Sequence, residues 1–493
     1  MNLVHSVPVH SRRFALEAPF PADRPQRKRR WLKSLALVVL LALAGYGGLW
    51  LYSRWKDERE YERVVAELNE RDAGWQLAER LAARQPIPRG QNSAEVVRAV
   101  HQMVGSWPSV QLNNALKDLG REPFRAMSDQ QFALLDPELK KVPEAIAEAR
   151  KLIHLPQGRF EVAWKGADWL PGSLDRHAQM PRTVIALLSD EGRRLTDQGK
   201  YDEAAQCAIG MVNAGRLLAG DPRQIPVLVR LACQNVAVSH IERVLGQGTV
   251  SSETLRRLSE CFHEEASAIS PLELLRDDRA LCHACLLDMR EGRFSDPDVP
   301  EGLTRKAAHA QILRGLTEMV EAVRQNPDDD LVTLRQRWPN YAARAWEARD
   351  SAGLKWFGPQ PRYLAAIHLG FHGPGMERVL AAISRIKGRL QCSVAALAAE
   401  SYRLKHGRWP ERPDQLVPDF LPSWPTDPID GQPLRWLRQP DGLLIYSIGP
   451  DGKDNGGDLA RGESRDKDID FGFQLWDLDK RRQPPAETKP ADK

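Results

Sequence analysis

Five aspartate side chains in one glycine-rich loop near the end of this chain are the strongest candidates for metal ligands. The five are Asp451, Asp454, Asp458, Asp468 and Asp470. Clustered carboxylates suit a hard cation, and calcium is preferred because every candidate ligand is oxygen. The loop is not an EF-hand, because Lys453 and Gly462 stand where that motif places two ligands. The alternative is a solvated acidic loop neutralised by Lys453, Arg461, Arg465 and Lys467.

A Cys-x-x-Cys pair, Cys282 and Cys285, is the second candidate for chemistry. Such a pair at the start of a helix lowers one thiol pKa and supports disulfide exchange. Here the pair lies inside a predicted helix and lacks the strand and aromatic context of a thioredoxin-like site. The alternative is that both cysteines are packing residues on one helix face. The sequence supports no catalytic residue, and a thiol–disulfide or other enzyme acting through the helical region stays the alternative to a binding protein.

The composition limits the classes of partner. The chain has 70 basic and 66 acidic residues among 493, so its net charge of +4 predicts no nucleic-acid partner. It contains no Gly-x-Ser-x-Gly elbow, no phosphate-binding glycine-rich loop and no dinucleotide fingerprint. Its 6 cysteines are too few for a disulfide-framework protein. We therefore expect a protein partner, whose identity the sequence leaves open.

An uncharged run over residues 34–53 predicts a single transmembrane helix, assigned to residues 31–55 with its flanking aromatic side chains. Basic residues dominate before this run, whereas acidic and basic residues alternate after it. That bias places residues 1–30, which show no helix or strand pattern, in the cytoplasm as a disordered tail. The bulk of the chain is then extracytoplasmic (periplasmic), anchored in the inner (cytoplasmic) membrane. A cleaved signal peptide is the alternative.

Residues 56–355 show helical patterns separated by proline and glycine, which predicts a helical extracytoplasmic domain. Within it, the segment Gly199-Lys200-Tyr201-Asp202-Glu203-Ala204 joins two helical runs. This segment resembles the turn of a tetratricopeptide helix–turn–helix, in which a glycine frees the turn and an aromatic ring packs between the helices. The resemblance covers about 34 residues, and no second good copy is found. We predict one repeat-like hairpin inside a larger helical domain.

The last part of the chain carries several motifs in a fixed order. A long helical pattern begins near residue 376 and passes Tyr402. The helix is predicted to end at Trp409-Pro410, because proline restricts the residue before it and lacks a backbone donor. A proline-rich segment follows. Apolar patterns then predict three short strands, at residues 434–437, 443–448 and 469–475.

This succession resembles the soluble domain of the major pseudopilin of bacterial type II secretion systems, over about 95 residues. The resemblance implies a long helix, a small antiparallel sheet and a loop that binds calcium. Asp451 and Asp468 stand where the family's motif is matched best. In a pseudopilin the helix is apolar and N-terminal, whereas here it is internal and carries Arg385, Lys387 and Arg389. The resemblance therefore implies the fold but not assembly into a filament.

The sequence thus predicts a mainly α protein that functions as a membrane-anchored extracytoplasmic binding or scaffolding protein with a calcium-stabilised last domain. Its predicted parts are a disordered cytoplasmic tail (1–30), a transmembrane helix (31–55), a helical domain (56–355), a pseudopilin-like α+β domain (375–476) and a disordered tail (477–493).

Overall fold

The computed structural model describes residues 24–162, 171–293, 295, 305–325, 332–334, 336–340, 374–459 and 470–485. Over these residues the chain is mainly helical, with one small antiparallel sheet near its end. The predicted mainly α class is therefore confirmed. The chain divides into two compact units, residues 1–60 and residues 61–493.

The first unit is dominated by the long helix α1 (Arg24–Arg71). Its apolar stretch has a mean hydropathy of 2.0 and buries none of its surface. Leu40 and Leu41, for example, keep 66% and 63% of their surface exposed. In the described part of the chain this is the one helix long and apolar enough to cross a membrane. The predicted apolar helix is confirmed, and a signal sequence near the N-terminus satisfies the same criterion.

The second unit begins with an array of helices whose starts are marked by local sequence signals. Its described helices before residue 330 are α2 (Leu77–Ala82), α3 (Ser93–Val104), α4 (Val110–Leu116), α5 (Asp129–Lys140), α6 (Pro143–Arg150), α7 (Pro171–Asp197), α8 (Tyr201–Arg216), α9 (Gln224–Gln247), α10 (Ser252–Ser267), α11 (Pro271–Arg290) and α12 (Lys306–Arg324). Ser128, Ser251 and Ser270 each accept a hydrogen bond from the third backbone N–H of the helix they precede. Pro143 and Pro271 occupy first helical positions, where no N–H is needed.

Helices α7 and α8 form the predicted hairpin. Gly199 lies in the turn with a φ of +76°, a left-handed backbone conformation that favours glycine. Ala204 is fully buried where the two helices pack. The Tyr201 ring lies against the backbone at Gly248, where a Cβ atom would come within 2.3 Å of the ring. The hairpin is present, and its relation to tetratricopeptide repeats stays a prediction.

The C-terminal region combines one long helix with the sheet. Its elements are α13 (Pro374–His406), β1 (Arg435–Gln439), β2 (Gly442–Ser447) and β3 (Phe471–Trp476). The strands are antiparallel in the order β1-β2-β3, with Ile445 opposite both Trp436 and Phe473. Gln439 pairs with Gly442 across a tight turn. The three predicted strands are confirmed, with boundaries that shift by one or two residues.

One hydrophobic core joins α13 to the preceding helices and to the sheet. Helix α13 packs along α10 and α9, and it also packs against β2 and β3. Buried side chains of this core include Phe262 on α10, Leu397 on α13, and Ile445 and Phe473 in the sheet. Residues 341–373 lie outside the described residues, so the predicted boundary between the helical and α+β domains stays a prediction.

Residues 477–485 are ordered, so the predicted disordered tail over residues 477–493 is wrong for this part. The Arg481 guanidinium donates to both carboxylate oxygens of the fully buried Glu400, at 3.0 and 2.9 Å. A buried carboxylate needs such a charged partner. The polar composition of the tail does not reveal that this carboxylate lies within its reach. Residues 486–493 lie outside the described residues.

Candidate functional site

The structure places four of the five predicted metal ligands, and Asp468 lies outside the described residues. Asp451, Asp454 and Asp458 are exposed on the loop after β2, whereas Asp470 is 1% exposed just before β3. Among the residues that the structure describes, no three His, Cys, Asp or Glu side chains are arranged to hold a metal ion. Calcium therefore stays a prediction, and it depends on the exposed carboxylates together with Asp468.

Two of these carboxylates hold the acidic loop, residues 449–459, from within. The Asp470 side chain accepts hydrogen bonds from the backbone N–H groups of Asn455 and Gly457, at 3.0 and 2.7 Å. The Asp454 side chain accepts one from the Tyr446 hydroxyl, at 3.1 Å. Hydrogen bonds to a charged acceptor contribute roughly 1.5–3 kcal/mol each. The described part of the loop is thus organised by donors that belong to the protein.

The Cys-x-x-Cys pair lies in the middle of α11. Cys282 is half-buried and packs against Leu286 and Leu316. Burial raises the pKa of the Cys282 thiol well above its usual value, and the neighbouring Cys285 and Asp278 raise it further. Because the thiolate is the reactive form, these surroundings oppose the nucleophilic chemistry of a thiol–disulfide enzyme.

A groove lies between α10 and α13, beside the segment 419–426, and we name it the α10–α13 groove. It consists of two adjoining cavities of about 410 and 590 Å³. Both cavities are lined by Ser259, Glu260 and Phe420. Small side chains at helical spacing, Ser259 and Ala266 on α10 and Ala398 and Ser401 on α13, create the space between the two helices.

The segment 419–426 forms an aromatic wall of the groove. The Phe420 backbone N–H donates to the Leu416 carbonyl at 2.9 Å, and the Phe420 ring centroid lies 5.6 Å from that of Tyr402. The Trp424 indole N–H donates to the Leu434 carbonyl at 3.0 Å. Two prolines in the same segment, Pro422 and Pro425, restrict its backbone. Both rings are therefore fixed in place by contacts within the chain.

The charges at the rim of the groove occur in opposite pairs. Arg256 pairs with Glu260 at 2.6 Å, and Lys405 lies 4.0 Å from Asp419. Gln391 lines the smaller of the two cavities, and its buried side-chain oxygen has no hydrogen-bond partner within the described ranges. Leaving such an acceptor unsatisfied costs about 1–3 kcal/mol. Within the described residues the groove therefore offers apolar walls, a rim whose basic side chains have acidic partners, and one acceptor that lacks a donor, and these features suit binding.

The α10–α13 groove is not predicted from the sequence. Its two helices are separated by more than a hundred residues, and no local pattern indicates that they pack together. A weak signal is present in the alternation of small side chains on α10 and α13. The proline-flanked aromatic residues Phe420 and Trp424 are a second signal, which the sequence analysis interprets only as a proline-rich segment.

No protein-family model, curated protein or solved structure matches this chain. The resemblances to pseudopilins and to tetratricopeptide repeats therefore stay predictions. The geometry of the described residues is what bears on function.

Proposed function

We propose that this chain is a membrane-anchored binding protein whose α10–α13 groove holds an uncharged, apolar segment of a partner protein. Helix α1 spans the inner membrane with its N-terminus in the cytoplasm, and the second unit lies outside the cytoplasm. The observation that carries the function is the groove itself, which combines fixed aromatic walls with an acceptor, the Gln391 side-chain oxygen, that has no donor among the described residues.

The anchoring is supported by the length and charge pattern of α1. The helix contains a stretch apolar enough to cross a membrane, and that stretch buries no surface within the protein. Basic residues, among them Arg29, Arg30 and Lys33, precede the stretch, which favours a cytoplasmic N-terminus. Outside the cytoplasm, the second unit is then available to extracytoplasmic partners.

The binding is supported by the rigidity of the groove wall. Phe420 and Trp424 are already fixed by contacts to Leu416, Tyr402 and Leu434. A partner therefore does not have to order these rings, and the entropy cost of binding is reduced. Aromatic side chains that are fixed in this way are typical anchors of peptide-binding surfaces.

The nature of the occupant follows from the charges and from the unsatisfied acceptor. Arg256 already pairs with Glu260 and Glu253, and Lys405 lies 4.0 Å from Asp419, so an acidic segment would gain little at the rim. The Gln391 oxygen needs an N–H donor. An extended segment has free backbone N–H groups, whereas a helix uses most of its own. We therefore expect an extended segment with small or apolar side chains.

Site-specific photocrosslinking of the full chain in its native cells tests this function. The photoreactive residue p-benzoylphenylalanine replaces Glu260, which lines both cavities, and in a matched control it replaces the exposed Glu144 on α6. We expect one protein to be captured from position 260 and not from position 144. Mass spectrometry of the captured peptide is expected to identify an uncharged, apolar sequence.

A second variant separates binding in the groove from contact near it. The substitution Ser259→Trp fills the space between α10 and α13, so it is expected to abolish capture from position 260. Equal capture from positions 260 and 144, or a captured segment rich in charged residues, would contradict the proposed function.

A further inference from the structure

Among the residues that the structure describes, the buried side chain of Arg243 on α9 has no ion-pair partner. Only 6% of the residue is exposed. One terminal nitrogen donates to the Leu119 carbonyl at 3.1 Å, while the buried Nε has no acceptor among the residues that the structure describes. Burying a guanidinium is unfavourable unless an anion pairs with it. The structure therefore leaves both a charge and a donor unsatisfied at this position.

Two further arginines surround this position because of how the chain packs. Arg193 and Thr196 lie one turn apart on α7, and Arg243 and Gly246 lie one turn apart on α9. Arg482 forms a hydrogen bond with each of these two helices. Its backbone N–H donates to the Gly246 carbonyl at 3.0 Å, and its guanidinium donates to the Thr196 carbonyl at 3.3 Å. Arg193, Arg243 and Arg482 therefore stand on neighbouring turns of the packed chain, near enough for the charges of Arg193 and Arg482 to act on Arg243.

The carboxylates in this region are already paired with the other two arginines. Asp190 lies 2.6 Å from Arg193, and Asp197 lies 3.6 Å from Arg482. Burial lowers the pKa of Arg243 to about 9, and the charges of Arg193 and Arg482 act in the same direction, opposed by Asp197. The folded protein thus disfavours the charged form of Arg243, which is still the form present at neutral pH.

We propose that Arg193, Arg243 and Arg482 form a binding site for a small oxyanion, with Arg243 as the principal donor. An oxyanion supplies both the charge and the acceptor that Arg243 lacks. Arginine suits phosphate and carboxylate because its planar fork of donors matches two oxygen atoms at once. The side chains of Arg193 and Arg482 are 26% and 39% exposed, so both reach solvent.

Binding of an anion at this site links the ordered C-terminal segment to the helical array. Arg482 belongs to residues 477–485, whereas Arg193 and Arg243 belong to α7 and α9. An anion held by all three side chains would strengthen the attachment of that segment. The oxyanion site is distinct from the α10–α13 groove, so either can fail without the other.

Thermal unfolding of the detergent-solubilised full chain tests this site. Inorganic phosphate is titrated at constant ionic strength, and acetate is titrated separately to distinguish a phosphate from a carboxylate ligand. We expect a saturable rise in Tm of about 3 °C at a hundredfold excess over Kd with at least one of the two anions. The absence of a saturable rise with both anions overturns the assignment.

Variants test whether the rise in Tm depends on the side chains of the proposed oxyanion site. Arg243→Met keeps the apolar volume and removes the donors, so its Tm is expected not to respond to either anion. Arg412→Met, at a side chain that is 73% exposed, is expected to respond like the unmodified chain. If Arg243→Met does not fold, Arg482→Gln is used, and the midpoint concentration is expected to rise about tenfold. An unchanged response in either site variant overturns the assignment.

Discussion

The acidic loop and the α10–α13 groove differ in how their polar groups are satisfied. In the loop, the Asp470 and Asp454 side chains accept hydrogen bonds from donors within the chain. In the groove, the Gln391 side-chain oxygen has no such donor within the described part of the protein. The named acceptors in the more polar region therefore have their hydrogen-bond donors, whereas the acceptor in the apolar groove does not. This difference is why we propose partner binding in the groove rather than in the loop.

Asp470→Asn is expected to have the largest effect on stability. The substitution removes the charge from a fully buried acceptor of two backbone N–H groups. We expect the free energy of unfolding to fall by about 3 kcal/mol, measured by urea denaturation of the full chain in detergent. Asp451→Asn, at an exposed site of the same loop, is expected to change it by less than about 0.5 kcal/mol. Equal losses of unfolding free energy from both substitutions would show that the Asp470 side chain does not hold the loop.

Gln391→Leu is expected to act in opposite directions on stability and on binding. The substitution removes an unsatisfied buried oxygen, so we expect the free energy of unfolding to rise by about 1 kcal/mol. Capture of the partner from position 260 is expected to fall in the same variant. The matched substitution Gln102→Leu on the exposed surface of α3 is expected to change neither. A variant that is stabilised but still captures the partner in full would show that the Gln391 side chain takes no part in binding.

Calcium is expected to have a smaller effect, because the described carboxylates that hold the loop are already engaged. Binding would use the exposed Asp451 and Asp458 together with Asp468. We expect millimolar calcium at constant ionic strength to raise the Tm by about 1–2 °C, and Asp468→Asn to abolish the rise. A Tm that is insensitive to calcium and to chelator, with no heat of binding in calorimetry, would remove the calcium proposal.

The thiol pair is expected to have no effect on the groove. Cys282 and Cys285 lie on α11, outside the lining of the α10–α13 groove. We therefore expect the double substitution of both cysteines by alanine to leave capture from position 260 unchanged, as measured by the yield of crosslinked product. Loss of capture, together with rapid alkylation of the two thiols in the folded chain, would favour the thiol–disulfide alternative.

The parts of the fold that the sequence predicts are those that depend on local physics. Ser251 and Ser270 mark helix starts, and the alternation of apolar residues around Ile445 marks a strand, because both signals lie within a few residues of what they determine. The apolar stretch of α1 is recognised in the same way. These elements are confirmed with small shifts at their boundaries.

The parts that the sequence does not predict depend on contacts between distant residues. The Arg481–Glu400 ion pair orders a segment whose composition indicates disorder, because the partner lies about eighty residues away. The groove depends on the packing of α10 against α13, which no periodicity encodes. The cluster of aspartates in the acidic loop is predictable from the sequence. The hydrogen bonds from backbone N–H groups to the Asp470 side chain are not. The sequence gives residue types, whereas satisfaction of their polar groups depends on the tertiary structure.

Hydrogen–deuterium exchange of the full chain, with and without a synthetic peptide of the captured segment, tests the contrast between the two regions most directly. We expect slower exchange in α10, in α13 and in the segment 419–426 when the peptide is bound. We expect unchanged exchange in residues 449–459, because we place partner binding in the groove and not in the acidic loop. Slower exchange in the loop, with none in the groove, would contradict the assignment of binding to the α10–α13 groove.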